Sequence, residues 1–181
     1  VGFDTLYGGD GNDILRGETD DDIVSGGSGD DTLFGGDALI GDTNTGKDTV
    51  DGGAGNDIAR GGDGDDIING GDGADTLLGE AGDDSVDGGI GADSIDGGAG
   101  NDIIRGGAGA DTIVGGAGND VLVGTAAELD GDLASDLGDG EQVQVLGESF
   151  AADQGTLTPN GGVTTVEIDT DNAGNTDAIF S

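Results

Sequence analysis

The chain has 181 residues, of which 44 are Gly and only five are aromatic, so a core of large packed side chains is not expected. Forty acidic residues against four basic ones give a net charge of −36, which makes nucleic acid and anionic membrane surfaces poor partners. Without Cys there are no disulfide bonds, and without His the commonest general base and transition-metal ligand are missing. Such a chain is either disordered or held together by cations.

No apolar run approaches the length of a membrane span, and no basic segment followed by an apolar one opens the chain as a signal peptide would. We therefore expect no membrane insertion by this segment. The chain begins with Val1 and contains no Met, so we expect it to be a piece of a larger parent protein.

The first regular feature is a set of three nine-residue units at 8–34, which read GGDGNDILR, GETDDDIVS and GGSGDDTLF. Glu18 and Asp20 replace two glycines in the middle unit. Glycine is needed where the backbone takes positive φ or approaches an ion closely. A metal site in this unit is therefore expected to be weaker or missing.

Residues 35–51 break the period, because they number one fewer than two units need. Either one unit carries an eight-residue loop around 38–45, or two units have lost one residue between them. We favour the loop. The choice decides which later aspartates share an edge of the structure with Asp31.

Residues 52–123 repeat the nine-residue unit eight times without interruption, with the consensus G-G-x-G-x-D-x-U-x, where U is aliphatic. Positions one to six are turn formers, and positions seven to nine form a short strand. Two units make one coil of 18 residues, and successive coils stack as parallel strands about 4.8 Å apart. The side chain at position eight points inward, and this position holds Leu15, Val24, Leu33, Val50, Ala59, Ile68, Leu77, Val86, Ile95, Ile104, Ile113 and Leu122.

The period of 18 places the aspartates at position six in columns. One edge carries Asp57, Asp75, Asp93 and Asp111, and the opposite edge carries Asp48, Asp66, Asp84, Asp102 and Asp120. Bare carboxylates at this spacing would repel one another. Calcium resolves the conflict, because it accepts six to eight oxygen ligands from carboxylates and backbone carbonyls.

The repeat resembles the calcium-binding nonapeptide repeat of the RTX (repeats-in-toxin) family over roughly residues 1–124. The resemblance implies an all-β fold, a right-handed parallel β-roll, with each calcium ion between two stacked turns. One turn would supply the position-six carboxylate with the carbonyls of positions two and four, and the other would supply oxygens from positions one, three and five. We expect about seven to nine ions.

The predicted carboxylate ligands are Asp13, Asp22, Asp31, Asp48, Asp57, Asp66, Asp75, Asp84, Asp93, Asp102, Asp111 and Asp120. The predicted carbonyl ligands are Gly53, Gly55, Gly62, Gly64, Gly71, Gly73, Gly82, Gly89, Gly91, Gly98, Gly100, Gly107, Gly109, Gly116 and Gly118.

Position five differs between the two edges. It holds Ala74, Ala92 and Ala110 on one edge, and Asp65, Asp83, Asn101 and Asn119 on the other. Either the second edge is more acidic or better hydrogen-bonded, or this position uses only its carbonyl and tolerates any small residue.

The repeat ends at Gly124, and residues 125–181 have a different texture, with strand-like patterns at 142–146, 163–168 and 177–180. We interpret 125–181 as a β-rich segment that caps the exposed end of the roll formed by 1–124.

The resemblance implies a non-catalytic module that folds on calcium outside a bacterial cell, after export of its parent protein by a type I exporter. The carboxylates form a periodic lattice rather than one unlike pair in a cleft, so an enzymatic role is not expected. Two alternatives stay open: a structural or adhesive module of a surface-layer or adhesin protein, and an accessory module of a secreted enzyme.

Overall fold

The computed structural model describes residues 2–36, 45–125, 133–135, 142–146 and 166–167, and every regular element in these ranges is a β-strand. Within this part of the chain, no helix is long and apolar enough to cross a membrane. The strands are β1 (Thr5–Asp10), β2 (Ile14–Glu18), β3 (Ile23–Ser28), β4 (Thr32–Gly36), β5 (Thr49–Ala54), β6 (Ile58–Asp63), β7 (Ile67–Asp72), β8 (Thr76–Ala81), β9 (Ser85–Ile90), β10 (Ser94–Ala99), β11 (Ile103–Ala108), β12 (Thr112–Ala117), β13 (Val121–Thr125), β14 (Leu133–Ser135), β15 (Gln142–Leu146) and β16 (Val166–Glu167).

The strands form two eight-stranded sheets, and each coil of the repeat contributes one strand to each sheet. Odd-numbered strands follow one another in one sheet from β1 to β15, and even-numbered strands follow one another in the other from β2 to β16. All pairs are parallel except β14 with β16. This arrangement confirms the predicted all-β parallel β-roll.

The register identifies how the irregular segment is accommodated. Most partners lie 18 residues apart, as Ile95 and Ile113 do, but Ile23 pairs with Thr49 and Thr32 pairs with Ile58, each 26 residues apart. The offset is one coil plus eight residues, as a single repeat with an eight-residue loop requires. The expected loop around 38–45 itself lies outside the described residues, apart from Thr45.

The core is one row of aliphatic side chains at position eight, enclosed between the two sheets. The predicted inward residues from Val24 to Leu122 are all buried, and Leu6 and Leu15 pack against them in the first coil. Because each coil contributes only two small or medium side chains, the core is thin, and the turns at the two edges carry much of the structure.

Beyond the repeats, β14 and β15 each add one strand to a sheet, paired with β12 and β13 at an offset of 21 residues. The strand predicted at 142–146 is therefore present, whereas β14 was not predicted. Of the other two expected strands, only Val166–Glu167 is described, and 177–180 lies outside the described residues.

Candidate metal centre

The aspartates at position six line up in two columns, one along each edge of the roll. The first column contains Asp13, Asp31, Asp57, Asp75, Asp93 and Asp111, and the second contains Asp22, Asp48, Asp66, Asp84, Asp102 and Asp120. Asp31 thus shares an edge with Asp57, which the sequence had left open. Apart from Asp13, every one of these residues is at most 2% exposed.

In every one of these aspartates except Asp13, one carboxylate oxygen accepts a hydrogen bond from the backbone of the coil before it. The backbone N–H of Asp66 donates to Oδ1 of Asp84 at 2.8 Å, and the N–H of Asp84 donates to Oδ1 of Asp102 at 2.9 Å. The same bond recurs along the first column, as from Asp75 to Asp93 at 2.9 Å. These bonds fix the orientation of each carboxylate, because its Oδ1 is tied to a neighbouring backbone.

The other carboxylate oxygen, Oδ2, is buried and has no hydrogen-bond partner in any of the twelve predicted aspartates. A buried carboxylate oxygen that lacks a partner costs several kcal/mol, and native proteins pair such groups or use them to bind metals. Twelve repetitions of the same vacant oxygen point to a cation as the missing partner.

The pKa values of five of these aspartates also show that burial disfavours the charged carboxylate. Burial raises the pKa of Asp66 and Asp84 from the usual value near 3.8 to about 7, although the backbone N–H bond to Oδ1 acts in the opposite direction. Burial likewise raises the pKa of Asp48, Asp75 and Asp102 to about 6. These five carboxylates therefore resist full ionisation at neutral pH unless a positive charge is supplied.

The first glycine of each repeat faces the vacant oxygen. A Cβ on Gly88 would lie 2.6 Å from Asp93 Oδ2 and 2.3 Å from the carbonyl oxygen of Gly106 in the next coil. The position-one carbonyl of one coil and the carboxylate of the coil before it therefore converge on space that only glycine leaves open. The resemblance implied an oxygen ligand from position one, although the glycines at this position were not named among the predicted carbonyl ligands; Gly occupies it in every unit from 8 to 123.

The same contact locates the inserted segment within its turn. Gly35 faces Asp48, with 3.0 Å between its would-be Cβ and Asp48 Oδ2, although the two residues are 13 apart in sequence. Because Gly35 and Gly36 fill positions one and two while Thr45 fills position three, the extra residues enter in the middle of this turn. Asp48 nevertheless lies in the second column, between Asp22 and Asp66.

The predicted glycine ligands at positions two and four all have positive φ, between 98° and 156°. Their carbonyls point along the stack: a Cβ on Gly71 would lie 2.1 Å from Gly53 O, and a Cβ on Gly73 would lie 1.7 Å from Gly55 O. Glycine is thus required here both by the backbone conformation and by the close approach of the coil before it.

Among the residues that the structure describes, three adopt this conformation without being glycine. Glu18, Asp20 and Glu80 have φ of 80°, 78° and 78°. Glu80 also forms an ion pair with Arg60, with 2.9 Å between Oε1 and Nη1. The unit that contains Glu18 and Asp20 therefore keeps the turn conformation of its neighbours, and Asp22 keeps a vacant Oδ2. Weaker metal binding by this unit stays a prediction.

These features fit calcium. Among the described residues, no three acidic, His or Cys side chains group together as a metal cluster would. Each turn instead offers one oriented carboxylate oxygen beside backbone carbonyls, which is an all-oxygen donor set of the kind that calcium accepts and that softer metals do not prefer. The residues that would hold an ion are the position-six aspartates with the glycine carbonyls of stacked turns.

Comparison with known proteins agrees with this chemistry. The family model described as "RTX calcium-binding nonapeptide repeat (4 copies)" matches residues 1–33, 42–77, 60–95, 69–104 and 96–126. No curated protein matches the chain significantly.

Proposed function

Because the chain belongs to the family of RTX calcium-binding nonapeptide repeats, we propose that it is a non-catalytic β-roll that folds when it binds calcium. The family identifies a calcium-binding structural module. The observation that carries the folding proposal is the set of twelve buried Oδ2 atoms without partners. Bound calcium would supply the positive charge that these atoms lack.

The metal-free roll is unfavourable at neutral pH for two reasons. Its charge of −36 opposes a compact state, and ionising the buried columns requires charging groups with pKa values raised to about 6 or 7. Against this stands a core with only two aliphatic side chains per coil. When no preformed site exists in the unfolded chain, the free energy of metal binding becomes free energy of folding.

We propose that one ion binds in each gap between stacked turns. Each column of six aspartates has five gaps between stacked turns, so the twelve turns offer up to ten sites, slightly more than the seven to nine expected from the sequence. The difference arises because the turns on either side of the inserted segment are also stacked.

A calcium-folded module suits a secreted bacterial protein. Extracellular calcium modules bind at about 10⁻⁴–10⁻³ M, which is above cytosolic calcium and close to its concentration outside cells. The chain would remain unfolded before export through a type I exporter and fold afterwards, and so support secretion and folding of its parent protein. The RTX resemblance supports this placement.

A second candidate, a structural or adhesive module, is favoured by apolar residues on the outer faces of the sheets. Ile14, Ile58, Ile67 and Ile103 are between 41% and 72% exposed on strands whose neighbours are regularly spaced. Such flat faces can serve as contact surfaces. This candidate predicts assembly in calcium, whereas the folding module predicts a monomer.

The testing experiment is a calcium titration of the chelator-treated chain, followed by far-ultraviolet circular dichroism, with magnesium as the control ion. We expect a cooperative transition from coil to β-structure with calcium alone. A β-spectrum that is already complete in chelator would contradict the proposal. Light scattering at the end of the titration separates monomer from assembly and so distinguishes the two candidates.

A further inference from the structure

We infer that the residue at position five is a positioning residue for the calcium sites. Where it is Asn or Asp, it fixes the carbonyl of the glycine at position four in the next coil, and that turn retains calcium at a lower free concentration. This inference rests on the proposed function. It assigns different calcium retention to turns that share the same set of ligands.

Position-five side chains form a ladder of hydrogen bonds along the second edge. Oδ1 of Asp65 accepts from the backbone N–H of Asp83 at 3.2 Å, and Oδ1 of Asp83 accepts from the N–H of Asn101 at 2.7 Å. Oδ1 of Asn101 then accepts from the N–H of Asn119 at 3.0 Å. The ladder is separate from the carboxylate columns and runs in the opposite sense, since each side chain here accepts from the following coil.

On the first edge the ladder stops partway. Asn12 accepts from Asp30 at 3.2 Å, Asp30 from Asn56 at 2.9 Å, and Asn56 from Ala74 at 2.8 Å. From Ala74 onward this position is alanine, which has no side-chain acceptor. The two edges therefore differ most in the C-terminal half of the roll, where Ala92 lies opposite Asn101.

The ladder acts on a predicted ligand through the planar peptide bond. The N–H of Asn101 and the C=O of Gly100 belong to one peptide unit, and in a trans peptide these two groups point in opposite directions. Because this N–H donates to Oδ1 of Asp83 in the coil before, the carbonyl of Gly100 is held toward the coil after. A Cβ on Gly118 in that following coil would lie 1.7 Å from the carbonyl oxygen of Gly100.

The equivalent unit on the first edge lacks this support. Ala74 has no side-chain oxygen that could accept from the N–H of Ala92, so the peptide unit that includes the carbonyl of Gly91 lacks the ladder bond. Groups that orient metal ligands from outside the coordination shell commonly change metal affinity by about tenfold or more. A single neutral hydrogen bond contributes about 1 kcal/mol, equivalent to about fivefold in a binding constant.

Two backbone amides at equivalent positions serve as reporters of calcium binding, one for each turn. The N–H of Ile103 donates to the carbonyl of Asp84 at 2.8 Å, and the N–H of Ser94 donates to the carbonyl of Asp75 at 2.9 Å. Both amides follow a position-six aspartate, and neither takes part in the ladder. Hydrogen exchange at these amides, measured at a series of buffered calcium concentrations, gives the concentration at which each turn loses half its protection.

The variants are Asp83→Ala, Asp83→Asn and Ala74→Asn. The fold tolerates Ala, Asp and Asn at position five, because it already contains all three there. Both substitutions of Asp83 remove its charge and only Asn keeps the acceptor, so we expect the calcium concentration for half-protection of Ile103 to be about fivefold higher in Asp83→Ala than in Asp83→Asn. In Ala74→Asn we expect the value for Ser94 to fall by a similar factor.

The outcomes separate this inference from the proposed function. If Asp83→Ala and Asp83→Asn give Ile103 the same value, or if they differ by the same factor at Ile103 and at Ser94, position five does not position a ligand and the inference is wrong. If the unsubstituted chain keeps full protection in chelator, the proposed function fails first, and the inference falls with it. A difference between Asp83→Ala and Asp83→Asn that is confined to Ile103 supports the inference.

Discussion

Replacing Asp84 by Asn separates the two roles of a column carboxylate. Asn keeps Oδ1 as the acceptor for the N–H of Asp66, a bond of 2.8 Å, but it removes the charge and converts the vacant Oδ2 into an amide nitrogen. The substitution therefore preserves the contact between coils while removing the candidate calcium ligand. We expect it to have opposite effects on stability with and without calcium.

Without calcium, the substitution is expected to favour the folded state. Burial raises the pKa of Asp84 from near 3.8 to about 7, and this difference corresponds to on the order of 4 kcal/mol against the ionised residue in the fold. Asn has no charge to bury. In chelator at pH 8, Asp84→Asn should thus contain at least as much β-structure as the unsubstituted chain.

With calcium, the same substitution is expected to destabilise the fold. An ion present at 100 times its dissociation constant stabilises the folded state by about 2.7 kcal/mol, and this contribution is lost for each site that fails to bind. Urea unfolding in saturating calcium, followed by circular dichroism, measures the loss. The matched control is Asp83→Asn, which makes the same change of charge at an exposed neighbour and keeps its acceptor bond to Asn101.

A result in which Asp84→Asn and Asp83→Asn unfold at the same urea concentration in calcium would refute the reasoning. It would mean that Oδ2 of Asp84 binds no ion. Equal destabilisation of Asp84→Asn in calcium and in chelator would also refute it, because the substitution would then be acting on packing alone.

Three further perturbations test the same account. Because the pKa of Asp66 is raised to about 7, its contribution to the stability of the metal-free fold is present below pH 4 and is lost as the pH rises through 7, so circular dichroism in chelator should show more β-structure at pH 4 than at pH 8; a flat profile would contradict this. Gly88→Ala places a Cβ 2.3 Å from the Gly106 carbonyl and 2.6 Å from Asp93 Oδ2, so urea unfolding in calcium should show a loss of about 1–3 kcal/mol, and an unchanged midpoint would mean that the site has spare room. Ile95→Ala, in a side chain that is 1% exposed, should cost about 2–5 kcal/mol in the same assay, and a smaller loss would show that the thin core contributes little.

The nine-residue period was enough to predict the fold and the positions of the candidate ligands. A turn of six residues followed by three strand residues is specified locally, by glycines that allow positive φ and by an aliphatic residue at position eight. Stacking then follows from translation along one axis, because each coil contacts only its neighbours. The columns from Asp57 to Asp111 and from Asp48 to Asp120 could therefore be counted in the sequence.

Three details of how the coils contact one another were decided only by the tertiary structure. The register across the inserted segment, and with it the alignment of Asp31 with Asp57, depends on which strands pair after the period is broken. The sequence also left open whether position five uses its side chain, and the bonds of Asp83 and Asn101 show that it does. Which oxygen of each carboxylate is tied and which is vacant is set by a backbone N–H that lies 18 residues away in most coils, and a pattern of residue types along the chain does not record the direction of such a bond.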